Sequence, residues 1–308
     1  MQLTISASPH LNSKIDTPFL MRQVVIALLP AVIASVFFFK HHALSLIVNC
    51  IISAVLTEII ILKIRNKPIV ITDFSSIVTG LLLALILPPT TAWYAASLGS
   101  IFSIFIGKHL FGGLGYNIFN PALLGRAFLM AAYPKMLTTF IEPFSVDVIS
   151  SATPLALKKF SHITTPTLKL FLGNVSGSLG ETSAICLIIG GIYLLIRKIA
   201  DWRIPLSLFL TVTIISTVTY IFEPEAGPLL FHLFSGGLLL GGFFMATDPV
   251  TTPVTKVGRY IYGISCGILI MVIRYLGGLP EGVMYSILFM NACVPLLNKY
   301  TKPKRYGT

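Results

Sequence analysis

The chain has 308 residues, of which 55% are hydrophobic and 11% charged, and its 22 Lys and Arg outweigh 11 Asp and Glu to give a formal net charge of +11. A soluble domain carries roughly a quarter charged residues, so this composition, with a mean hydropathy of +0.87, excludes a soluble enzyme and indicates an integral membrane protein. The basic excess is what positively charged cytoplasmic loops produce; no basic patch interleaved with aromatic residues occurs, so the expected partner is the lipid bilayer and not nucleic acid.

Residues 1–22 are polar and lack the apolar core and small-residue cleavage site of a secretory signal, which predicts a cytoplasmic leader. Apolar runs bounded by charge, Pro or Gly then predict ten spans, near 23–39, 43–62, 74–88, 93–107, 121–133, 182–197, 205–221, 228–246, 259–275 and 282–298. The third ends at Pro88 and Pro89, and the eighth carries Gly236, Gly237, Gly241 and Gly242 before Asp248 and Pro249. Such interruptions free backbone groups at membrane depth, which is tolerable where they line a protein-buried site. With the N-terminus inside, 15 of the 22 basic residues fall on the cytoplasmic side, Lys108 among them, six fall outside, Arg274 among them, and Arg126 lies within a helix. Both termini are therefore expected in the cytoplasm.

The string Gly80-Leu81-Leu82-Leu83 followed by Gly112-Gly113-Leu114 recurs as Gly237-Leu238-Leu239-Leu240 followed by Gly277-Gly278-Leu279, at offsets of 157 and 165 residues. Five spans per half then require the second half to be inverted. The fold class expected is an all-α membrane protein of about ten helices in two inverted five-helix repeats with broken helices. The divisions are 1–22 as leader, 23–133 as first repeat, 134–181 as an extracytoplasmic segment, 182–298 as second repeat and 299–308 as a basic cytoplasmic tail.

Four stretches carry possible chemistry. Asp147-Val148-Ile149-Ser150-Ser151-Ala152-Thr153-Pro154 presents a threonine hydroxyl on a turn of small residues, open to a modifying transferase, although the same composition serves an ordinary loop. Gly112, Gly113 and Gly115 with Asn117 and Asn120 allow close backbone approach and offer amide donors and acceptors, either to a heterocycle or as helix caps in a tight turn. Arg126 inside a helix costs roughly 2.5 to 3.5 kcal/mol on insertion scales, so it meets a carboxylate or phosphate or else snorkels. Glu181 and Thr182 open the sixth span as an anion seat or a cap. Asp73 and Asp248 sit at cytoplasmic helix ends, as ion-handling groups or as solvated carboxylates. Cys50, Cys186, Cys266 and Cys293 are far apart and apolar in context, so no metal site or thiolate-held cluster is expected.

The run Asp147 to Thr153 resembles the D-x-x-[ST]-G-A-T flavinylation motif, with Ser151 where the usual glycine stands. It occurs with G-G-x-G-x-N-x-F-N-P-A at Gly112 to Ala122 and F-F-M-A-T-D-P at Phe243 to Pro249. Over essentially its whole length the chain is similar to the family that holds RnfD, of the Rnf ion-translocating ferredoxin:NAD oxidoreductase, and its sister NqrB, of the Na+-translocating NADH:quinone reductase. The opening Ser8-Pro9-His10, the modest length and the GGLPEGVMYSILFMNACVPL stretch resemble the RnfD branch. The resemblance implies an inner-membrane electron carrier that reacts with neither NADH nor ferredoxin alone. FMN would be held as a phosphoester on Thr153 at the outer face, near Asp147, Ser150, Ser151 and Ala152. Arg126, Glu181 and Thr182 are further candidate contacts of that FMN, and a noncovalent riboflavin would sit near Asn117 and Asn120. It also implies other membrane and peripheral subunits of an Rnf-type complex, a flavin transferase for maturation, and coupling to Na+ or H+ movement. A rival reading from another class is a channel or transporter for a small polar solute, which inverted repeats with broken helices would serve equally; a flavinylation sequence argues against it.

Overall fold

A computed structural model describes residues 16–68, 72–144 and 150–303. Asp147 and the Ser8-Pro9-His10 opening lie outside these residues. In chain order the helices are α1 (Thr17–Ile64), α2 (Ser75–Ile86), α3 (Trp93–Phe102) with a π-helical continuation Ser103–His109, α4 (Pro121–Ala132), three short helices α5 (Pro134–Leu137), α6 (Pro154–Ser161) and α7 (Thr167–Leu172), then α8 (Ala184–Ile196), α9 (Arg203–Phe222), α10 (Leu229–Phe234), α11 (Leu238–Leu240), α12 (Lys256–Leu276) and α13 (Val283–Tyr300). Each of the ten apolar stretches is helical, the first two within α1 and the eighth in α10 and α11 together. Phe140–Ile141 (β1) pairs antiparallel with Ser150–Ser151 (β2), a small departure from the all-α expectation. Three helices among the described residues are long and apolar enough to cross a bilayer, α1, α9 and α12, and the helical segments Pro224–Phe234 and Leu238–Met245 form a fourth such unit bent by 48°. The protein is a multi-pass membrane protein.

A straight helix as long as α1 would extend about 70 Å at 1.5 Å per residue, more than twice the roughly 30 Å of a hydrocarbon core. The helix breaks at Lys40, whose φ of 49° and ψ of −124° are not helical. Leu20, Met21 and Val24 line one cavity with Ser75 and Lys108, and Glu58, from the other arm, pairs with the same Lys108. At the break, the Phe38 carbonyl accepts from the Phe144 backbone N–H at 3.2 Å, and His42 lines a recess with Thr90. The chain therefore doubles back at Lys40, and the arms coincide with the first two expected spans.

α2 is buried on nearly every side, as an all-round apolar helix in the interior should be. It is shorter than the expected span of 74–88 because Pro88 and Pro89 lack the N–H groups to continue it. Its last carbonyls are met by the turn before α8: the Leu179 N–H donates to the Leu87 carbonyl at 3.1 Å. This turn sits at the centre of the bundle, where a Cβ on Gly180 would stand 3.0 Å from both Leu85 of α2 and Leu240 of α11.

α9 and α12 approach through small residues, because a membrane interior supplies no hydrophobic drive to hold helices together and close packing must do so. A Cβ on Gly263 would stand 2.7 Å from the Ile204 carbonyl oxygen, and one on Gly267 would stand 2.8 Å from Thr211 Cβ. Alanine at both positions is expected to lower the Tm of the detergent-solubilised chain, with a cost of about 1–3 kcal/mol per site from overpacking. Gly278→Ala, whose Cβ would meet nothing within 4 Å, should stay near wild type in the same thermal scan; equal losses in all three variants would refute the packing argument.

Candidate functional site: two polar cavities

At one end of the bundle, Thr153 starts α6. Its hydroxyl oxygen accepts from the Ala156 N–H at 3.3 Å, and Pro154 occupies the first helical position, which needs no donor. The helix is held from both sides. Leu155 packs with Leu170 and Phe231 in a small apolar cluster. The Lys159 ammonium donates to the carbonyls of Ile273, Arg274, Gly277 and Leu279, where the end of α12 leaves its acceptors free. Burial pulls the Lys159 pKa below the ordinary lysine value. Ahead of Thr153, Ser151 donates its hydroxyl to Ser176 Oγ at 2.6 Å, so the serine in the glycine position is anchored to the neighbouring loop.

Thr153 lines a recess with Arg126, Met130, Phe140, Glu281 and Tyr285. The expected accessibility of its hydroxyl is not observed: Thr153 is 5% exposed, because the cap onto α6 turns the side chain inward. Arg126, from α4, donates through Nη2 to Glu281 Oε2 at 2.9 Å, and its Nη1 stands 4.0 Å from Glu181 Oε1. Arg126 thus meets carboxylates rather than snorkelling, and its Nε and Glu181 Oε1 are buried without a hydrogen-bond partner among the described residues. Thr182 is buried and bonds back to the Leu179 carbonyl at 3.0 Å; neither it nor Glu181 lines the recess.

Arg274, expected among the exposed outer charges, is instead 5% exposed. Its guanidinium donates to the His232 carbonyl at 2.6 Å, the Ser235 carbonyl at 3.0 Å and the Glu281 carbonyl at 3.2 Å. These include carbonyls left open by the break between α10 and α11, so a buried cation satisfies what the missing helical turn cannot.

At the opposite end, a second cavity of about 800 Å³ is lined by Ser75, Lys108, Asn117, Asn120, Thr247 and Asp248 with apolar residues from α1, α2 and α8. Asn120 caps α4, accepting from the Ala122 N–H at 3.1 Å and the Leu123 N–H at 3.3 Å. Asn117 donates to the Phe119 carbonyl at 3.2 Å and keeps a buried, unpartnered Oδ1. The two asparagines therefore divide the expected roles, one as a cap and one with a free amide oxygen. Gly112, Gly113 and Gly115 have φ of 129°, 115° and 92°; they make the turn before Asn117 and are not among the lining residues. Asp248 accepts from the Val250 N–H at 3.2 Å and from Thr251. Asp73 lies outside the cavity and accepts from the Ser75 N–H at 3.1 Å. Lys108, expected on a loop, is 2% exposed inside the π-helical continuation of α3, donating to Glu58 Oε1 at 2.5 Å and Ser75 Oγ at 2.6 Å. Sequence reasoning misses Glu58 and Glu281. Each is a lone carboxylate in an apolar run, the signal that marks the partner of a buried cation.

The model of the NQR2, RnfD, RnfE family matches residues 4–307. The D subunit of the Na+-translocating ferredoxin:NAD+ oxidoreductase complex of Acetobacterium woodii is 45% identical over 100% of this chain and 96% of its own length. The D subunit of the proton-translocating ferredoxin:NAD+ oxidoreductase complex of Clostridium ljungdahlii is 45% identical over 99% of this chain and 96% of its own. The D subunit of the ion-translocating oxidoreductase complex of Aliivibrio salmonicida is 35% identical over 100% and 99%.

The Glu58–Lys108 pair yields a test of the second cavity's frame. Removing one partner of a buried ion pair costs about 3–5 kcal/mol, whereas replacing both by neutral groups of similar shape is close to neutral. Lys108→Met is expected to lower the Tm steeply and Lys108→Met with Glu58→Gln to recover most of the loss; an additive double variant would show that the pair is not coupled.

Proposed function

The chain belongs to the NQR2, RnfD, RnfE family, and from that premise we propose that it is the flavin-carrying, RnfD-type membrane component of an ion-translocating oxidoreductase complex. It works with other membrane and peripheral subunits and is matured by a flavin transferase. The observation that carries the flavin reading is that Thr153 and Arg126 form walls of one recess. FMN, when bound, supplies a centre that accepts one or two electrons without thiolate ligands, which suits a chain whose four cysteines lie far apart. In the phosphoester the Thr153 oxygen would be the ester oxygen: its O–H bond breaks and the proton leaves, while the pyrophosphate bond of the transferase's FAD donor breaks with AMP as the leaving group. Arg126, with its Nε free, is placed to meet the phosphodiester charge. Ser151 and Ser176 hold the preceding strand, Ser150 and Ala152 belong to the approach to Thr153, and Lys159 fixes the following helix. Asp147 belongs to the motif that the transferase reads.

The inner cavity is our candidate seat for riboflavin, with the Asn117 amide oxygen offered to a ring N–H. Asp248 and, outside the cavity, Asp73 are the candidate ion-handling carboxylates for Na+ or H+. We place the termini and the inner cavity on the cytoplasmic side and Thr153 on the extracytoplasmic side, following the basic loops. The division into two inverted halves, 23–133 and 182–298, is supported by paired buried cations: Lys108 closes α3 against Ser75 at the start of α2, and Arg274 closes α12 against the break after α10.

In-gel flavin fluorescence and intact mass of the denatured chain, co-expressed with a flavin transferase, test the assignment. The wild-type band is expected to fluoresce and to gain the mass of one esterified FMN, with both signals absent in Thr153→Val. A dark wild-type band of unmodified mass, with a transferase that labels a known substrate, would overturn it.

A further inference from the structure

The recess at Thr153 holds a carboxylate that the flavin reading does not call for. Glu281 comes from the turn between α12 and α13, on the other half of the sequence from Arg126, and its side chain is 17% exposed while lining the same recess. It engages Arg126 at 2.9 Å, and Glu181 stands 4.0 Å from the same guanidinium. Burial and the neighbouring Glu281 push the Glu181 pKa well above the ordinary carboxylate value, whereas Arg126 and Arg274 hold that of Glu281 below it against the effect of burial. The nearby Arg274 spends its N–H groups on backbone carbonyls, including that of Glu281 itself, so it fixes the turn that carries Glu281 without capping the carboxylate. Of the two carboxylates, the one that lines the recess is therefore the one that carries the negative charge.

We propose that Glu281 is the residue that sets the reduction potential at the Thr153 recess: it aims Arg126 into the recess and, by its own charge, opposes the arrival of electrons there. This rests on the reading that Thr153 carries FMN. The physical reasoning is short. Each electron that enters a ring held in the recess adds negative charge, and a fixed carboxylate in a poorly screened setting disfavours that charge. Glu281 borders the recess and Glu181 does not, so neutralising Glu281 should act more strongly than neutralising Glu181. Arg126 would be shared between Glu281 and the phosphodiester, which explains why an Arg already bonded to one carboxylate retains an unpartnered Nε.

The test is a spectroelectrochemical titration, with dithionite as reductant, of the flavinylated, detergent-solubilised full chain. Wild type is compared with Glu281→Gln, Glu281→Asp, Glu181→Gln and, as a remote control, Glu225→Gln on an exposed turn. Glu281→Gln keeps the shape and loses the charge, and its flavin is expected at a more positive midpoint potential than wild type. Glu281→Asp, which keeps the charge, should return towards wild type, a rescue that a purely structural role of side-chain length would not give. Glu181→Gln should shift in the same direction by less, and Glu225→Gln should not shift. Should Glu281→Gln fail to fold in a thermal scan, Glu281→Ala, which also removes the charge, takes its place: the same positive shift is expected, and an unchanged potential overturns the proposal. An unchanged potential in every flavinylated variant overturns the role of Glu281 while leaving FMN on Thr153 intact. A wild-type chain without bound flavin overturns both readings, and in-gel fluorescence of the same samples tells the two failures apart.

Discussion

The buried guanidinium of Arg126 is the constraint around which the rest of this molecule is arranged. An Arg inside an apolar bundle is tolerated only if its charge and its donors are met within the protein. Arg126, on α4, is 5% exposed. The answering carboxylates, Glu281 and Glu181, come from beyond residue 180. Satisfying one side chain of the first half therefore draws in the turn before α8 and the turn between α12 and α13. The second of these turns walls the recess around Thr153 and the first backs its cation, so one electrostatic obligation both joins the halves and builds the site.

The same logic recurs wherever the helices break. Interrupted helices allow polar backbone inside a membrane protein, but each interruption leaves carbonyls that water cannot reach. Here cationic side chains take that place, Arg274 buried and Lys159 partly exposed. Arg274 bonds the carbonyls of His232 and Ser235 beside the 48° bend, and Lys159 bonds the carbonyls that end α12. These are long side chains reaching across from other elements. Each therefore fixes the position of its own element as well as satisfying another: Lys159 places α6, and with it Thr153, on the end of α12.

Such pairings explain what is legible in the sequence and what is not. Apolar runs between charges and prolines locate the helices, because span length and the missing N–H of Pro88 and Pro89 are local properties. The reversal at Lys40 is equally legible, as two runs separated by Lys40, His41 and His42. Thr153, Arg126, Asn117 and Asn120 stand out by residue type, and each lines a cavity. Lys108 and Arg274 are misplaced because a basic residue at the end of an apolar run reads as a loop charge unless its partner is known. Those partners, Glu58 at a separation of 50 residues and the His232 carbonyl at 42, are tertiary facts. The three glycines read either as a ligand approach or as a tight turn, and their positive φ serves the turn that delivers Asn117. Thr153 reads as exposed because it stands on a turn of small residues ahead of Pro154, whereas its hydroxyl serves as the cap of α6.

The two cavities lie at opposite ends of the bundle, yet one strip of chain borders both. At one end, a Cβ on Gly236 would stand 2.7 Å from Leu155 and 3.6 Å from Glu281 Cγ, so the break after α10 lies against the segment that follows Thr153. Beyond it, α11 continues through the π-helical turn Gly241–Met245 to Phe244, Thr247 and Asp248 on the wall of the inner cavity. A continuous α-helix across this distance would transmit position but would resist local rearrangement, because its hydrogen bonds form one cooperative ladder. Breaking that ladder at Ser235–Gly237 and loosening it again at the π turn leaves a stiff apolar middle, Leu238–Leu240, buried between two adjustable ends. α4 spans the same interval, with Asn120 and Ala122 at one cavity and Arg126 and Met130 at the other.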